Sequence, residues 1–542
     1  MTHHYHRFKK YLKVNISWLL LILTIDIAIG ATLFFLLNGN QNLGNYDAVA
    51  RLNIARKMID SLTPGIGQLG GIWLPFPQVL MTPLVSIDYM WHTGLAGAIV
   101  SGIAFVIAAY FLYKIAFMLT KSVKASLIVW LLFVGNVNIL FLQSMALAEM
   151  FFLMCLVMIL YFLMRWYETH SVNQLLLTGA MCVLISLTRY EGYFILVGTT
   201  LAVMIEAWRA FKKESWHKVE GTVLLFLTIA GFGVLLWCIY GFLFYGDFLH
   251  WLHLYSDGKL QVSTAEQSVR DTNEAAIAVT ENSIGLSFST YTQMIMAMSG
   301  NIITAVGVAG LAMTSATLIW YRKHFSRYTK YVPIILISVI TYAFLIYGYQ
   351  KGFIPEVSLP PQPIPLEDQK SFTAYSDNNA RYGIILYPLI VLFAGLLAAR
   401  HKFLMYTVII LFGIQLYANV VKPQEFQQSL PHYSPYRTLN DVPWFQDNYD
   451  HGLILISANA HEDFMFQTGL PYKTFIYEGT RDYWIDSLND PSKHARWIIF
   501  DTAIQGDTVT YFLSEKGRTI LQNEYEEVHE NRGFYVYRKK GN

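Results

Sequence analysis

Eleven apolar runs, each near the length of a bilayer crossing, dominate this chain and leave little room for any other architecture. A spanning helix needs about 20 mostly apolar residues. Such runs lie at roughly 16–38, 93–117, 125–142, 146–165, 174–188, 192–208, 220–245, 294–319, 332–349, 383–399 and 402–420. Charged residues make up only 14% of the 542, against roughly 25% in an ordinary soluble domain. The fold class expected is therefore a polytopic α-helical membrane protein. The fifth and sixth runs are separated only by Thr188-Arg189-Tyr190-Glu191, which implies a tight hairpin or broken pair.

Lysine and arginine set the orientation. The N-terminus carries Arg7, Lys9, Lys10 and Lys13 ahead of a first run too long for a signal-peptide core, so it reads as an uncleaved first span. With that end in the cytoplasm, the segments on the same side hold about twice as many Lys and Arg as the longer loops opposite. An odd span count then puts the chain after about 421 outside, in a plasma membrane with a cytoplasmic N-terminus. Three outer loops are long, at about 39–92, 246–293 and 350–382, and the segment 359–365 is Pro-rich and reads as a stiff connector.

Two domains follow: a multi-span part, 1–421, and an extracytoplasmic part, 422–542. In the second, strand-like runs at Gly452–Ala458, Lys473–Tyr477, Arg496–Asp501 and Gly533–Arg538 alternate with helical stretches at Ala460–Gln467, Arg481–Leu488 and Thr508–Gln522. That alternation predicts a small α/β domain with a mostly parallel sheet. It contains no Gly-rich phosphate loop, and none of the three cysteines (Cys155, Cys182, Cys238) lies in it, so no disulfide framework is available. The net charge of +2 gives no reason to expect nucleic acid.

The polar groups that could carry chemistry sit at the outer ends of the spans. Asn45-Tyr46-Asp47 opens the first outer loop, and Ala48, Leu52, Ala55, Ile59 and Leu62 then line one face of an amphipathic helix expected to lie on the membrane. Asp47 in its first turn has two readings: a carboxylate answering the helix dipole, capped by Asn45 and paired with Arg51, or a general base at the membrane surface. Glu149 heads the fourth span, where a carboxylate needs a cavity or a partner. Arg189 and Glu191 form either an ion pair at a helix hairpin or part of a site. Arg381 and Tyr382 stand at the start of the tenth span, where an arginine either snorkels to headgroups or grips a phosphate with its fork. The topology puts all of these on one side of the membrane. Together they describe a pocket for a lipid-linked phosphate.

Two further features are discounted. Asp247, His250 and His253 recur at helical spacing, but Trp251 and Leu252 favour an interfacial aromatic helix over a metal site. Asp26 sits mid-span in the first helix and reads either as functional or as a helix–helix hydrogen bond. No cofactor is required by the sequence; a divalent metal is compatible with the acidic loop but has no ligand spacing to support it.

The layout resembles the GT-C superfamily of membrane glycosyltransferases, in particular protein O-mannosyltransferases and the lipid A aminoarabinose transferases. The resemblance covers roughly 16–420. It rests on Tyr46-Asp47, on Gly71-Ile72-Trp73-Leu74-Pro75-Phe76-Pro77, on Leu187-Thr188-Arg189-Tyr190-Glu191-Gly192 and on Asn379-Ala380-Arg381-Tyr382. Many members carry two adjacent acids where this chain has Asp47-Ala48. The resemblance implies Asp47 as catalytic base, Arg189, Arg381 and Tyr382 around the donor phosphate, and Tyr46, Trp73, Glu149 and Glu191 in the pocket. It also implies a sugar donor on a polyprenyl phosphate and a glycan, lipid or protein acceptor outside the cytoplasm; direct displacement with one base and no covalent intermediate then makes inversion at the anomeric carbon the expected outcome. The competing functions are a transporter or flippase of lipid-linked saccharide and a non-catalytic receptor or scaffold. Against the first stand the absent inverted repeat and the scarcity of mid-membrane charge. The second leaves the clustered acids and arginines without a purpose.

Overall fold

The structure is a computed structural model that describes residues 2–256, 280, 282–320, 329–351, 380–421, 441–503 and 507–541. The Pro-rich segment 359–365, half of the outer loop 246–293, most of the outer loop 350–382, and Lys259, Arg270, Arg322, Lys323, Arg327 and Lys370 lie outside the described residues. The chain divides into two compact units. One comprises Met1–Asn42, Ala98–Trp237 and Val279–His432; the other comprises Leu43–Gly97, Cys238–Ala278 and Tyr433–Asn542.

Every apolar run is helical. Among the described residues, eight helices are long and apolar enough to cross a membrane: Ile16–Leu37, Leu95–Thr120, Glu149–Thr169, Gly192–Phe211, Asn301–Trp320, Thr329–Gln350, Ala380–Ala398 and Lys402–Asn419. The pair Trp216–Ala230 and Phe232–Tyr245, bent by 40°, makes a ninth candidate when counted as one span. The remaining two runs yield shorter pieces, Val123–Val134 with 12 residues and Val172–Ser186 with 15. At about 1.5 Å per residue neither reaches across a core of about 30 Å.

The breaks have physical causes. The run at 125–142 divides because Asn136 turns its side chain back to cap Val137–Leu142, accepting from the Ile139 amide at 3.0 Å. Its Nδ2, and that of Asn138, each donate to the Met298 carbonyl at 3.0 Å. Met298 lies at the end of the helix Ile284–Ser299, just before a second break at Gly300. There φ is +83°, and a Cβ would meet the Gln415 side chain at 2.7 Å, so only glycine serves. The two most deeply buried spans are Ala380–Ala398 and Glu149–Thr169. Gly307 and Gly310 let the helix Asn301–Trp320 settle onto Tyr387–Ala398, since a Cβ there would meet Ile390 at 2.6 Å and the Phe393 carbonyl at 2.1 Å.

In the second unit a five-stranded sheet is built from β1 (Leu453–Leu455), β2 (Phe475–Ile476), β3 (Ala495–Asp501), β4 (Tyr525–Asn531) and β5 (Phe534–Lys539). The order is β2-β1-β3-β5-β4. β1 pairs in parallel with β2 and β3, while β5 runs antiparallel to both β3 and β4. This corrects the expectation of a mostly parallel sheet. β4 reads Tyr-Glu-Glu-Val-His-Glu-Asn, with Glu526, Glu527 and Glu530 exposed, and a charged edge strand carries no apolar alternation to announce it. One face of the sheet packs Leu455, Ile476 and Ile498 against Trp484, Val509, Leu513 and Leu521.

The first-loop helix Tyr46–Lys57 belongs to the same unit, and its surroundings correct a second expectation. Ala48, Leu52 and Ala55 are each 0% exposed, so their face is covered by protein instead of lying on lipid. The helix packs on Phe76–Val85 and on Ala458–Gln467. Ile59, expected on the same face, is exposed because the helix ends at Lys57.

Candidate functional site

Glu149, Arg189, Glu191, Arg381 and Tyr382 meet in the first unit. Each is placed at the end of a helix. Glu149 opens the span Glu149–Thr169, so its charge lies in the first turn, at the positive end of the helix dipole. Arg189 and Glu191 occupy the tight connection between Val172–Ser186 and Gly192–Phe211. A Cβ at Gly192 would stand 2.5 Å from the Ile185 carbonyl, and that close approach closes the hairpin. Arg381 and Tyr382 lie in a 3-10 turn, Ala380–Leu386, that leads into Tyr387–Ala398. The turn is pressed onto the helix Ile284–Ser299 at Gly383, where a Cβ would fall 2.1 Å from the Met294 carbonyl.

The geometry is that of a buried ionic cluster. Arg189 donates from Nη1 to Glu149 Oε1 at 2.7 Å and from Nη2 to Glu191 Oε1 at 2.6 Å. Its Nε also reaches both Glu191 oxygens, at 3.2 and 3.3 Å. Arg381 Nε lies 3.4 Å from Glu149 Oε1, so one carboxylate stands between two guanidinium groups. The Arg189 guanidinium also lies over the Tyr382 ring, 4.7 Å from its centre. Glu149, Glu191 and Arg189 are all under 9% exposed. Burial works against the Arg189 charge, but the Glu191 and Glu149 carboxylates outweigh it and hold its pKa above the ordinary guanidinium value.

All three Arg189 nitrogens face carboxylates, so the ion-pair reading of Arg189 and Glu191 describes what the structure contains. Among the described residues the cluster sets two acids against two arginines. It can fix the planes of both forks at the span ends, which is the preorganisation that phosphate recognition requires.

Asp47 and Trp73 belong to the second unit. Asp47 is half-buried in the first turn of Tyr46–Lys57, and its amide donates to Asn45 Oδ1 at 2.9 Å, giving the expected cap. One turn on, the Arg51 guanidinium lies 4.8 Å from the centre of the Trp73 ring. The Tyr46 side chain lies outside the described residues.

The residues that hold this helix were missed in the sequence. Glu462, on Ala458–Gln467, forms a buried ion pair with Lys57 and accepts from Asn53 Nδ2 at 2.9 Å and from the Tyr472 hydroxyl at 3.0 Å. Trp91 Nε1 donates to the other end of the Asn53 amide at 3.1 Å. A little further on, Gln68 accepts from the Tyr477 hydroxyl at 2.7 Å and donates to the Gly479 carbonyl at 2.9 Å. No local signal marks these partners. The one hint is that Asn53 and Lys57 lie four residues apart on a helix.

The discounted histidines go separate ways. His253 Nδ1 lies 2.6 Å from Asp247 Oδ2 and holds that carboxyl below the usual range, whereas His250 stacks on Tyr245 with ring centres 3.9 Å apart. Among the described residues no group of His, Cys, Asp and Glu could hold a metal ion.

No protein-family model and no curated protein matches the chain. Solved structures do resemble it. The oligosaccharyltransferase of Archaeoglobus fulgidus, tethered to an acceptor peptide containing the NVT sequon, is similar over 98% of this chain and 75% of its own, at 10% identity and a TM-score of 0.49. The same organism's oligosaccharyltransferase with an inhibitory peptide and a dolichol-phosphate gives 98% and 75%, 9% identity and 0.48. ArnT from Cupriavidus metallidurans bound to undecaprenyl phosphate is similar over 95% of this chain and 97% of its own, at 12% identity and 0.47.

Proposed function

We propose that this protein is a membrane glycosyltransferase of the GT-C kind, which moves a sugar from a polyprenyl-phosphate carrier to a glycan, lipid or protein acceptor outside the cytoplasm. The observation that carries the reading is the meeting of Glu149, Arg189, Glu191, Arg381 and Tyr382, from three distant segments, at the heads of the two most deeply buried spans. A departing lipid phosphate gathers negative charge, and an arginine held in a fixed plane stabilises it with no reorganisation at the moment of reaction. Arg189 is engaged on every nitrogen and acts as a positioning residue. The phosphate contact falls to Arg381, oriented through Glu149. Asp47 is the general base that takes the acceptor's proton, allowing one direct displacement with inversion. Its amide is fixed by Asn45, so its place at the helix start is set by the backbone.

The test uses purified protein in detergent with a labelled polyprenyl-phosphate sugar and a crude acceptor extract. Wild type transfers label. Asp47→Asn keeps size and hydrogen bonding but cannot take a proton, and transfer falls by about 10²–10⁴-fold, the range for losing a general base. Full activity in that variant removes Asp47 from the mechanism. Without compartments a flippase moves no sugar, so absence of transfer by wild type across several donors and acceptors overturns the enzyme reading.

A further inference from the structure

The first span, Ile16–Leu37, carries Asp26 at its midpoint, and the structure turns that residue outward. Asp26 is exposed, and among the described residues it has no hydrogen-bond or ion-pair partner. Its own face of the helix is open as well. Ile22 is 55% exposed and Ile29 54%, and one turn beyond Asp26 a Cβ at Gly30 would meet nothing within 4 Å. The reading of Asp26 as an internal helix–helix hydrogen bond is therefore not what the described structure contains.

In a bilayer that position is costly in either protonation state. The carboxylate needs a cation, and the neutral acid still needs an acceptor. A side chain this short cannot reach the interface, about 15 Å away. We infer that the Asp26–Gly30 face of the first span docks a transmembrane helix of another protein, one that carries a basic side chain at mid-depth. Charge complementarity names the partner's chemistry, and Gly30 supplies the close approach that such contacts use. A second copy of this chain is a poorer fit. The described spans carry lysine and arginine only towards their ends, so a symmetric contact would set Asp26 against Asp26.

The probe is a leucine-rich helical peptide of about 22 residues with one central lysine. It is compared in liposomes with an all-apolar peptide and with one whose lysine is moved two turns, using energy transfer to labelled full-length protein. The central-lysine peptide binds wild type about fivefold to thirtyfold more tightly than the apolar one, the range of a single intramembrane polar contact in model peptides. Asp26→Leu abolishes the difference, and Asp26→Lys transfers the preference to a peptide with a central aspartate. Because the position faces lipid, Asp26→Leu keeps the thermal midpoint of wild type. Equal binding of the peptides, or an unchanged preference in Asp26→Leu, overturns the proposal. So does energy transfer between two labelled copies that is lost in Asp26→Leu, which would assign the face to self-association.

Discussion

Lys57 and Glu462, 405 residues apart in the chain, form a buried ion pair that fastens the first-loop helix to the C-terminal sheet domain. The Lys57 ammonium also lies 4.7 Å from the centre of the Tyr477 ring, and Glu462 receives three donors in all. Glu462→Ala would strand that ammonium. Breaking a buried pair costs about 3–5 kcal/mol, so the thermal midpoint of the purified protein should fall by several degrees. Lys57→Met in the same background should recover much of the loss. An unchanged midpoint in Glu462→Ala would show that the pair is not formed.

The two arginines should separate in their behaviour. Arg189→Ala leaves Glu149 and Glu191 buried without their main counterion and should lower stability by about 3–5 kcal/mol. Arg381→Ala should leave the protein nearly as stable but weaken binding of a polyprenyl phosphate by about 10- to 150-fold, the worth of a charge-assisted hydrogen bond. Titrating fluorescent polyprenyl phosphate into detergent-solubilised variants measures it. Unaltered affinity in Arg381→Ala would remove that residue from the phosphate site.

A pH effect is expected in the C-terminal domain. His461 is fully buried, which by itself lowers its pKa. A 2.9 Å hydrogen bond to Asp507, the charge of that group and those of Asp463 and Asp501 prevail and raise it. A histidine whose folded pKa exceeds its unfolded value of about 6.5 stabilises fully below that pH, and the contribution is lost as pH rises through the folded value. The domain's unfolding midpoint should therefore decline above about pH 6.5. His461→Gln should flatten that slope. A midpoint that climbs with pH over the same range in wild type, but not in the variant, would reverse the sign and refute the assignment.

Orientation can be read directly. The three native cysteines are buried, so single exposed cysteines report without background. Lys516→Cys should react with an impermeant thiol reagent in intact cells, and Lys213→Cys should react only after lysis. The opposite pattern would place the C-terminal domain in the cytoplasm.

The membrane part was legible because its signal is local: a run of apolar residues states its own helix, and Lys and Arg mark the ends. Even the convergence of Glu149, Arg189 and Arg381 could be anticipated, since each lies at a span end and topology alone gathers such ends. What escaped depends on partners far away in sequence. Gly300 looks like any glycine in an apolar run until Gln415 is set beside it. The face formed by Ala48, Leu52 and Ala55 fits lipid and protein equally well, and the sheet domain that shares its unit lies some 400 residues later. β4 was hidden because its exposed side chains are glutamates.

The shared carboxylate of Glu149 also constrains how the molecule is made. Arg189 follows it by 40 residues, and Arg381 comes far later. At about 5–20 residues per second, the first arginine emerges roughly 2–8 s after the acid, and the second tens of seconds after that. Until the first of them emerges, the span headed by Glu149 has no counterion for its buried end. The acid must wait at the headgroup boundary or carry a proton. This half of the protein therefore closes late in synthesis, and a chain interrupted between residues 189 and 381 would hold this buried carboxylate with only one of its two cations.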